Sequence, residues 1–522
     1  MPLALGVLCA FAALARGGHD LWAATLVHFS ALAAGLWLLF SSRKEGGKGV
    51  PLEPLLPMGV LALALAASTA GSVNPSESVH ALRDALAALL LFWASCRALE
   101  REEALETFMA VLVLLCWAEL GTILWQHYDT HFNTPIPKEI QHPGIPAWQM
   151  LLSYQVPGTL VNSNAAAAFL LMPFPFLAHR VLRGFQEGRV GWFWAAGLAA
   201  DVLSLLLLKS ASALIFIGAG ALLLPGPRAL WAFILRRPRA SASLAAVILL
   251  TVGGIVALKI LYGYNWTADP MAPQEAMRRF SWWSAGWAML RDHPFLGVGT
   301  GNFPSAFLAY RPGPMQNTRS AHAFWATAAA ETGLAGLLAG LFFGGWCLKR
   351  ILAVPTVLEK RWPLLLGSAL FLGFTSFNLG IEYLANLTLL AALLGAALAP
   401  ALSGSLRPGR LSLAVSAACA FAASAFLIAP FQASRLTVRG EELLSEGDEE
   451  GALKAFSGAI SLDGLSWEAR AGAARSLSAR FRRTRDRRDL AEAAAHQRRA
   501  VDLNRLSAPL RRDLAASTAE LD

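Results

Sequence analysis

The chain has 522 residues, 55% of them hydrophobic and only 15% charged, with a mean hydropathy of +0.48. Both fractions fall outside the soluble range and exclude an ordinary water-soluble globular protein. A net charge of +9 and a pI near 9.6 would suit a nucleic-acid binder, but the Lys and Arg excess of cytoplasmic membrane-protein loops explains them more simply.

Apolar runs of bilayer-crossing length, ~20 residues, recur from the first residues to residue 431. The expected spans are 2–15, 20–40, 54–72, 83–97, 105–127, 162–180, 191–208, 212–225, 242–262, 321–348, 362–377, 382–402 and 411–431. The opening MPLALGVLCAFAALARGG lacks a basic leader and reads as a first span rather than a cleaved signal peptide. Alternate loops carry the cations: Arg43, Lys44 and Lys48; Arg97 and Arg101; Arg180, Arg183 and Arg189; Arg228, Arg236, Arg237 and Arg239; Lys349, Arg350, Lys360 and Arg361; Arg407 and Arg410. One parity satisfies all of them and puts these loops in the cytoplasm. Segments 128–161 and 263–320, and everything after residue 431, then lie outside. The expected fold is all-α: a polytopic membrane bundle of about 12–13 transmembrane helices over residues 1–431, with a large extracytoplasmic loop at 263–320. Cys9, Cys96, Cys116, Cys347 and Cys419 sit in or beside apolar runs at no metal-ligand spacing, so neither a zinc site nor a disulfide framework is expected. His28, His80 and His179 have no partner that the sequence identifies, and Glu119 and Asp201 read as structural polar groups within spans.

From Gln432 the chain becomes rich in Ala, Leu, Arg and Glu at helical spacing. GALKAFSGAISLD (451–463) and AEAAAHQRRAVDLN (491–504) resemble the second helix of a tetratricopeptide repeat, which implies an extracytoplasmic helical domain over 432–522 able to recruit a protein partner. Its arginines, Arg470, Arg475, Arg480, Arg482, Arg483, Arg485, Arg487 and Arg488, form either a solvated helix face or a surface for anionic lipid or glycolipid headgroups.

The loop 263–320 holds Arg278, Arg279, Arg291, Arg311 and Arg319 on the side where cations are not favoured. Residues 274–291 read as an amphipathic helix opened by Pro273 and closed by Asp292-His293-Pro294. Phe280, Trp283, Trp287 and Leu290 make one apolar stripe suited to the membrane–water interface, with Arg279 at its border either placed to hold a lipid phosphate or only snorkelling toward water. GVGTGNF (297–303) invites a nucleotide reading. It is rejected because no strand precedes it, no helix N-terminus is expected close after it, and the full fingerprint is missing.

Arg279 and Trp283, then His293, Pro294, Gly297, Gly299 and Phe303, then His322, Glu331, Gly333 and Gly336 form a pattern that resembles the O-antigen ligase and polymerase family. GTLVNSNAAAAFLL (158–171), with Asn164, fits an earlier element of the same pattern. The resemblance implies a GT-C class, bacterial inner-membrane glycosyltransferase of the kind used in lipopolysaccharide and polysaccharide biosynthesis. Such an enzyme takes a glycan from undecaprenyl (polyprenyl) diphosphate and passes it to a hydroxyl of a glycolipid, glycan or protein acceptor on the outer face. By position, Arg279 would contact the donor diphosphate and His322 would lie at the reacting centre, with Arg311, Arg319, Lys209, Asn164 and Trp283 binding substrate. Ala211 stands where the family usually has Arg, and Lys209 could supply the charge but not the bidentate fork.

The chemistry needs such groups. Displacing a diphosphate calls for fixed positive charge near the leaving oxygens, and an acceptor hydroxyl calls for a base, a role that histidine fills. No clustered carboxylates argue for a metal, and no cofactor is expected. The competing readings are a polymerase or protein O-oligosaccharyltransferase of the same family, and, from other classes, a lipid or solute transporter or a non-catalytic assembly scaffold. A transporter would show two matching halves with broken helices, and the sequence has no such symmetry. Glu331, deep in its span, is expected to make a structural hydrogen bond.

Overall fold

A computed structural model describes residues 1–43, 49–132, 156–188, 191–236, 272–311, 318–402 and 404–520. The expected span 242–262 lies outside the described residues, as does most of segment 128–161. Among the described residues, six helices are long and apolar enough to cross a membrane: Leu21–Ser41, Pro75–Ala98, Glu102–Asp129, Phe324–Ala353, Leu384–Ala401 and Arg410–Ser445. Ser163–Leu171 and Phe174–Gln186 make a further span bent by 41°. The bend falls at Met172-Pro173, where proline cannot continue the hydrogen-bond ladder. Shorter apolar helices at Pro2–Leu14, Leu55–Ala70, Trp192–Leu207, Ser212–Leu223 and Trp362–Thr375 occupy the remaining expected spans. The protein is an all-α polytopic membrane protein. Beyond its helices, residues 50–51 and 404–406 pair as a minimal antiparallel ladder.

Hydrocarbon-facing and packed faces divide as a bilayer requires. Leu63, Leu341 and Phe421 are 72%, 71% and 82% exposed on the outside of the bundle. Small residues meet at the helix contacts: a methyl added at Gly6 or Gly197 would press on Val111 or Val113, and one at Gly395 would lie 2.5 Å from the Phe92 carbonyl.

The contacts between loops sort into two ends. At the end expected to face the cytoplasm, Arg180 pairs with Glu106 at 2.7 Å and Arg350 with Glu53 at 2.8 Å, while Arg361 donates to the Glu100 carbonyl at 2.6 Å. Arg228 meets Glu359 at the same end. At the opposite end, Val73 donates to the Val298 carbonyl, Arg505 to the Val73 carbonyl, and Arg279 to Asn378. Each of these contacts joins loops of one parity, as the alternation of cations anticipates.

Helix Phe324–Ala353 is broken inside the bundle. Gly333 adopts φ 60° and ψ −160°, which frees carbonyls and amides that must find partners where water is absent. The stretch 294–299 supplies them. Val298 and Gly299 donate to the Ala330 and Glu331 carbonyls at 3.0 and 2.9 Å, and Leu334 and Ala335 donate to the Pro294 and Phe295 carbonyls at 2.9 and 3.0 Å. Ser68 adds a second donor to the Glu331 carbonyl at 2.9 Å. The expectation that no helix follows GVGTGNF closely is corrected: helix Phe303–Tyr310 starts at once, with Pro304 in its first turn. Backbone of the broken helix, rather than a phosphate, fills the concavity of the glycine turn.

Glu331 holds this joint from within, accepting the Phe303 amide at Oε1 at 3.0 Å. Glu331→Gln keeps an acceptor and should leave thermal unfolding close to that of the parent. Glu331→Leu leaves a buried amide unmet and should cost about 1–3 kcal/mol, read from unfolding in detergent.

The last bundle helix does not stop at residue 431. Arg410–Ser445 is one helix of 36 residues with Pro430 inside it, so the expected boundary at 431/432 falls within a continuous element. Helices Glu449–Leu462, Trp467–Thr484, Arg487–Leu503 and Ala508–Ala519 follow, each packed on the one before. The two repeat-like segments are the second members of successive hairpins, and Asp463 and Asn504 are their C-caps. Phe456 fills the first hairpin core against Gly440 and Gly472, where no side chain would fit. Of the tail arginines, Arg480 is paired with Asp489 at 2.9 Å and Arg483 with Glu449 at 3.2 Å, and Arg475 meets Glu441.

Candidate active site

Helix Ala272–Asp292 and the segment leading into Phe324–Ala353 carry the two principal candidates. His322 precedes that helix by two residues and adopts φ 53°, a left-handed conformation uncommon for histidine. Its amide donates to Ser320 Oγ at 3.1 Å, and Ser320 is fully buried and also hydrogen-bonds Glu382. The imidazole stacks on Trp282 with centroids 4.2 Å apart and planes at 18°. Burial, and then the positive charge of Arg279, pull the His322 pKa down to about 4. The ring is therefore neutral at physiological pH and free to take a proton. Since an unfolded histidine titrates near 6.5, the folded state loses stability as pH falls from that value through about 4.

Arg279 reaches Asn378, whose Oδ1 accepts from Nη2 at 3.4 Å. Asn378 is itself fixed by donating to the Phe374 carbonyl at 3.0 Å. Trp325 donates to the Ser376 carbonyl at 3.2 Å, tying the start of the broken helix to the same short loop. In that loop Glu382 accepts the Gly380 amide at 2.8 Å, and burial raises its pKa.

Arg319 meets His19 across the bundle, and its charge also reaches Tyr383 and Glu77. Burial, followed by that cation, lowers the His19 pKa. Lys209 and Asn164 form a neighbouring cluster. Asn164 Oδ1 accepts from Ser210 Oγ at 3.1 Å, and Ser210 caps the helix that begins at Ala211. Lys209 adopts φ 53° and burial lowers its pKa. Asn386 links the two regions, donating to the Gly380 carbonyl at 2.7 Å and the Ala165 carbonyl at 3.2 Å. Arg311 ends helix Phe303–Tyr310, which packs on the arginine-bearing helix. Trp283 turns inward against Trp325, with centroids 5.6 Å apart, while Phe280 and Trp287 are 63% and 69% exposed as an interfacial stripe requires.

Residues 194–341 match the family model described as O-antigen ligase. This segment is similar to the O-antigen ligase domain, and the match supports the resemblance read in the sequence. No curated protein and no solved structure matches the chain. The ligase segment contains Lys209, Arg279, His322 and the whole glycine joint, whereas Asn164, Asn378 and Glu382 lie outside it. The match supports a membrane protein with a glycosyltransferase-like function.

Among the described residues, Arg16, Val161, Lys209 and His322 at this end of the bundle have positive φ. Such strain persists where surrounding structure holds it, and it gathers at functional sites. Sequence reasoning missed Trp282, Ser320, Asn378 and Glu382. Only Trp282 left a readable signal, three residues after Arg279 on the same helical face. Loss of its stack in Trp282→Ala should cut transfer about tenfold, whereas Trp282→Phe keeps a ring over His322 and most of the rate. Among the described residues no group of three or more His, Cys, Asp or Glu side chains could hold a metal ion.

Proposed function

We propose that the protein transfers a glycan from a polyprenyl-diphosphate carrier to an acceptor hydroxyl at the outer face of the cytoplasmic membrane, as an inverting, metal-independent, O-antigen ligase-like enzyme. The observation that carries the reading is the juxtaposition of a fixed guanidinium and a neutral imidazole. Arg279 lies close enough for its charge to act on His322, Asn378 holds its guanidinium, and Trp282 stacks on the imidazole.

In this reading Arg279 grips the donor diphosphate and Arg319 and Lys209 add positive charge around it. The acceptor oxygen attacks the anomeric carbon as the bond to the diphosphate breaks. The diphosphate leaves with the bonding electrons, and the hydroxyl proton passes to His322 Nδ1 or Nε2. Arriving phosphates would offset the Arg279 charge and favour the imidazolium at the moment it forms. Sorting of the loop contacts by parity, with the cations at the opposite end, supports an extracytoplasmic site. The paired tail helices suit a tetratricopeptide-like surface for a large acceptor or a protein partner.

The test is reconstitution of purified protein with a lipid-diphosphate glycan and candidate glycolipid, glycan and peptide acceptors. A ligase joins whole donor glycans to the glycolipid, whereas a polymerase extends the donor chain. Absence of any new glycosidic product from all three acceptor classes would overturn the proposal.

A further inference from the structure

A second polar cluster lies inside the bundle, built by helices that do not carry Arg279 or His322. Arg83, in helix Pro75–Ala98, is only 9% exposed, and its Nε has no hydrogen-bond partner. Its guanidinium lies 4.3 Å from the ring centroid of Phe426, on the long final helix. His80 is one turn away on the same helix. Asp84 is adjacent but engaged, with His28 Nε2 at 2.7 Å. Asp463, the C-cap of the first tail hairpin, lies within electrostatic reach of the guanidinium from above. Arginine stays ionised even when buried, so the site retains a cation with no salt bridge among the described residues, Asp463 and Asp84 acting on it only through charge.

Two spaces meet at this side chain. One, of about 230 Å³, is lined by His80, Arg83, Phe426, Pro430, Asp463 and Leu465. The other, of about 410 Å³, is an apolar groove that includes Leu32, Leu55, Met58, Leu86, Leu90 and Leu427. Arg83 and Phe426 border both. Arg83 sits eight residues into its helix, ~12 Å below the end at Pro75. The groove reaches Leu90, ~10 Å deeper by the same rise. The order is polar chamber, cation and then hydrocarbon slot, with the depth profile of a lipid.

We propose that this joined cavity holds one membrane phospholipid whose headgroup carries both a phosphate and a primary ammonium. The phosphate sits on Arg83 and His80, the ammonium on Asp463, and one acyl chain fills the groove. Charge decides the headgroup. A purely anionic one would face the Asp463 carboxylate unscreened, and Asp84 is already occupied by His28, whereas an ammonium turns Asp463 into a partner. Free phosphate would leave the groove empty. The lipid would join the tail, through Asp463 and Leu465, to the helices beneath it.

The test uses the full-length protein equilibrated with vesicles of ethanolamine-, glycerol- or choline-headgroup phospholipids of matched acyl chains, re-extracted and analysed by native mass spectrometry. The parent should retain one ethanolamine phospholipid at least ~tenfold above the glycerol lipid. Arg83→Gln should lose the lipid. Asp463→Asn should keep a phospholipid but lose the preference for ethanolamine. Gly59→Leu is the variant least exposed to misfolding, because an added Cβ there meets nothing within 4 Å. It fills the groove without touching the headgroup site and should also expel the lipid. Equal lipid retention by the parent, Arg83→Gln and Gly59→Leu, at matched thermal unfolding, would overturn the proposal. Displacement of the lipid by millimolar inorganic phosphate alone would overturn it as well.

Discussion

Replacing Arg279 with alanine is expected to lower glycan transfer by about 10²–10³-fold, the loss seen when one fixed donor to a developing anion is removed. Arg279→Lys keeps the charge but loses the planar fork and should recover only part of the rate. The Asn378 contact is the local reason: it fixes the orientation of a planar guanidinium, whose geometry matches phosphate oxygens in pairs, while an ammonium has a single point of charge. For the imidazole the informative variant is His322→Asn rather than alanine. Asparagine accepts the left-handed backbone at φ 53°, so the substitution removes the base while keeping the strained turn. Transfer should fall about 10²–10⁴-fold at matched membrane levels and unchanged unfolding temperature. The pH profile gives an independent check. With the His322 pKa near 4, kcat/KM should stay level as pH falls through 6.5 and drop only as the imidazole protonates near the lower value. An acid limb at 6.5, or full transfer by both Arg279→Ala and His322→Asn, would refute the assigned roles.

The second large effect is structural. Gly297→Ala or Gly299→Ala should prevent accumulation of folded protein, or lower its unfolding temperature by many degrees. Gly297 has φ 67°, and a Cβ there would lie 2.3 Å from the carbonyl carbon and oxygen of Glu331. Gly299 has φ 108°, and its Cβ would lie 2.2 Å from that of Ser72. The left-handed conformation alone costs an L-residue about 1–2 kcal/mol. The overlap is largely with backbone, which cannot rotate away, so the total should exceed about 3 kcal/mol. Gly340→Ala, in the broken helix Phe324–Ala353 at a position where an added Cβ meets nothing within 4 Å, is the control and should be neutral or mildly stabilising. The comparison separates glycines required by the joint from those that merely occupy an apolar helix.

Much of this architecture is legible in the sequence because its causes are local or periodic. Hydropathy and the alternation of Arg and Lys locate the spans and sort their loops, and of the expected stripe Phe280 and Trp287 lie exposed on one helix while Trp283 turns inward against Trp325. Other features arise from contacts far apart in the chain. The break at Gly333 looks from sequence like any glycine in an apolar run, because the partners that make it tolerable lie at 294–299. Ser320, Asn378 and Glu382 are single polar residues in short loops and have no spacing to betray them. The helix Phe303–Tyr310 was hidden by its brevity. His28 likewise finds Asp84 only through the packing of two spans.

The uninterrupted helix Arg410–Ser445 has a mechanical corollary. At 1.5 Å per residue it is a strut ~54 Å long, and it carries the tail without a swivel. The C-terminal hairpins therefore stand in a set position on the bundle, where Arg505 also donates to the Val73 carbonyl. Whatever docks on them is presented to the bundle from one direction, and a pull on the tail would be felt as tilt in the helix it leans on, Leu21–Ser41.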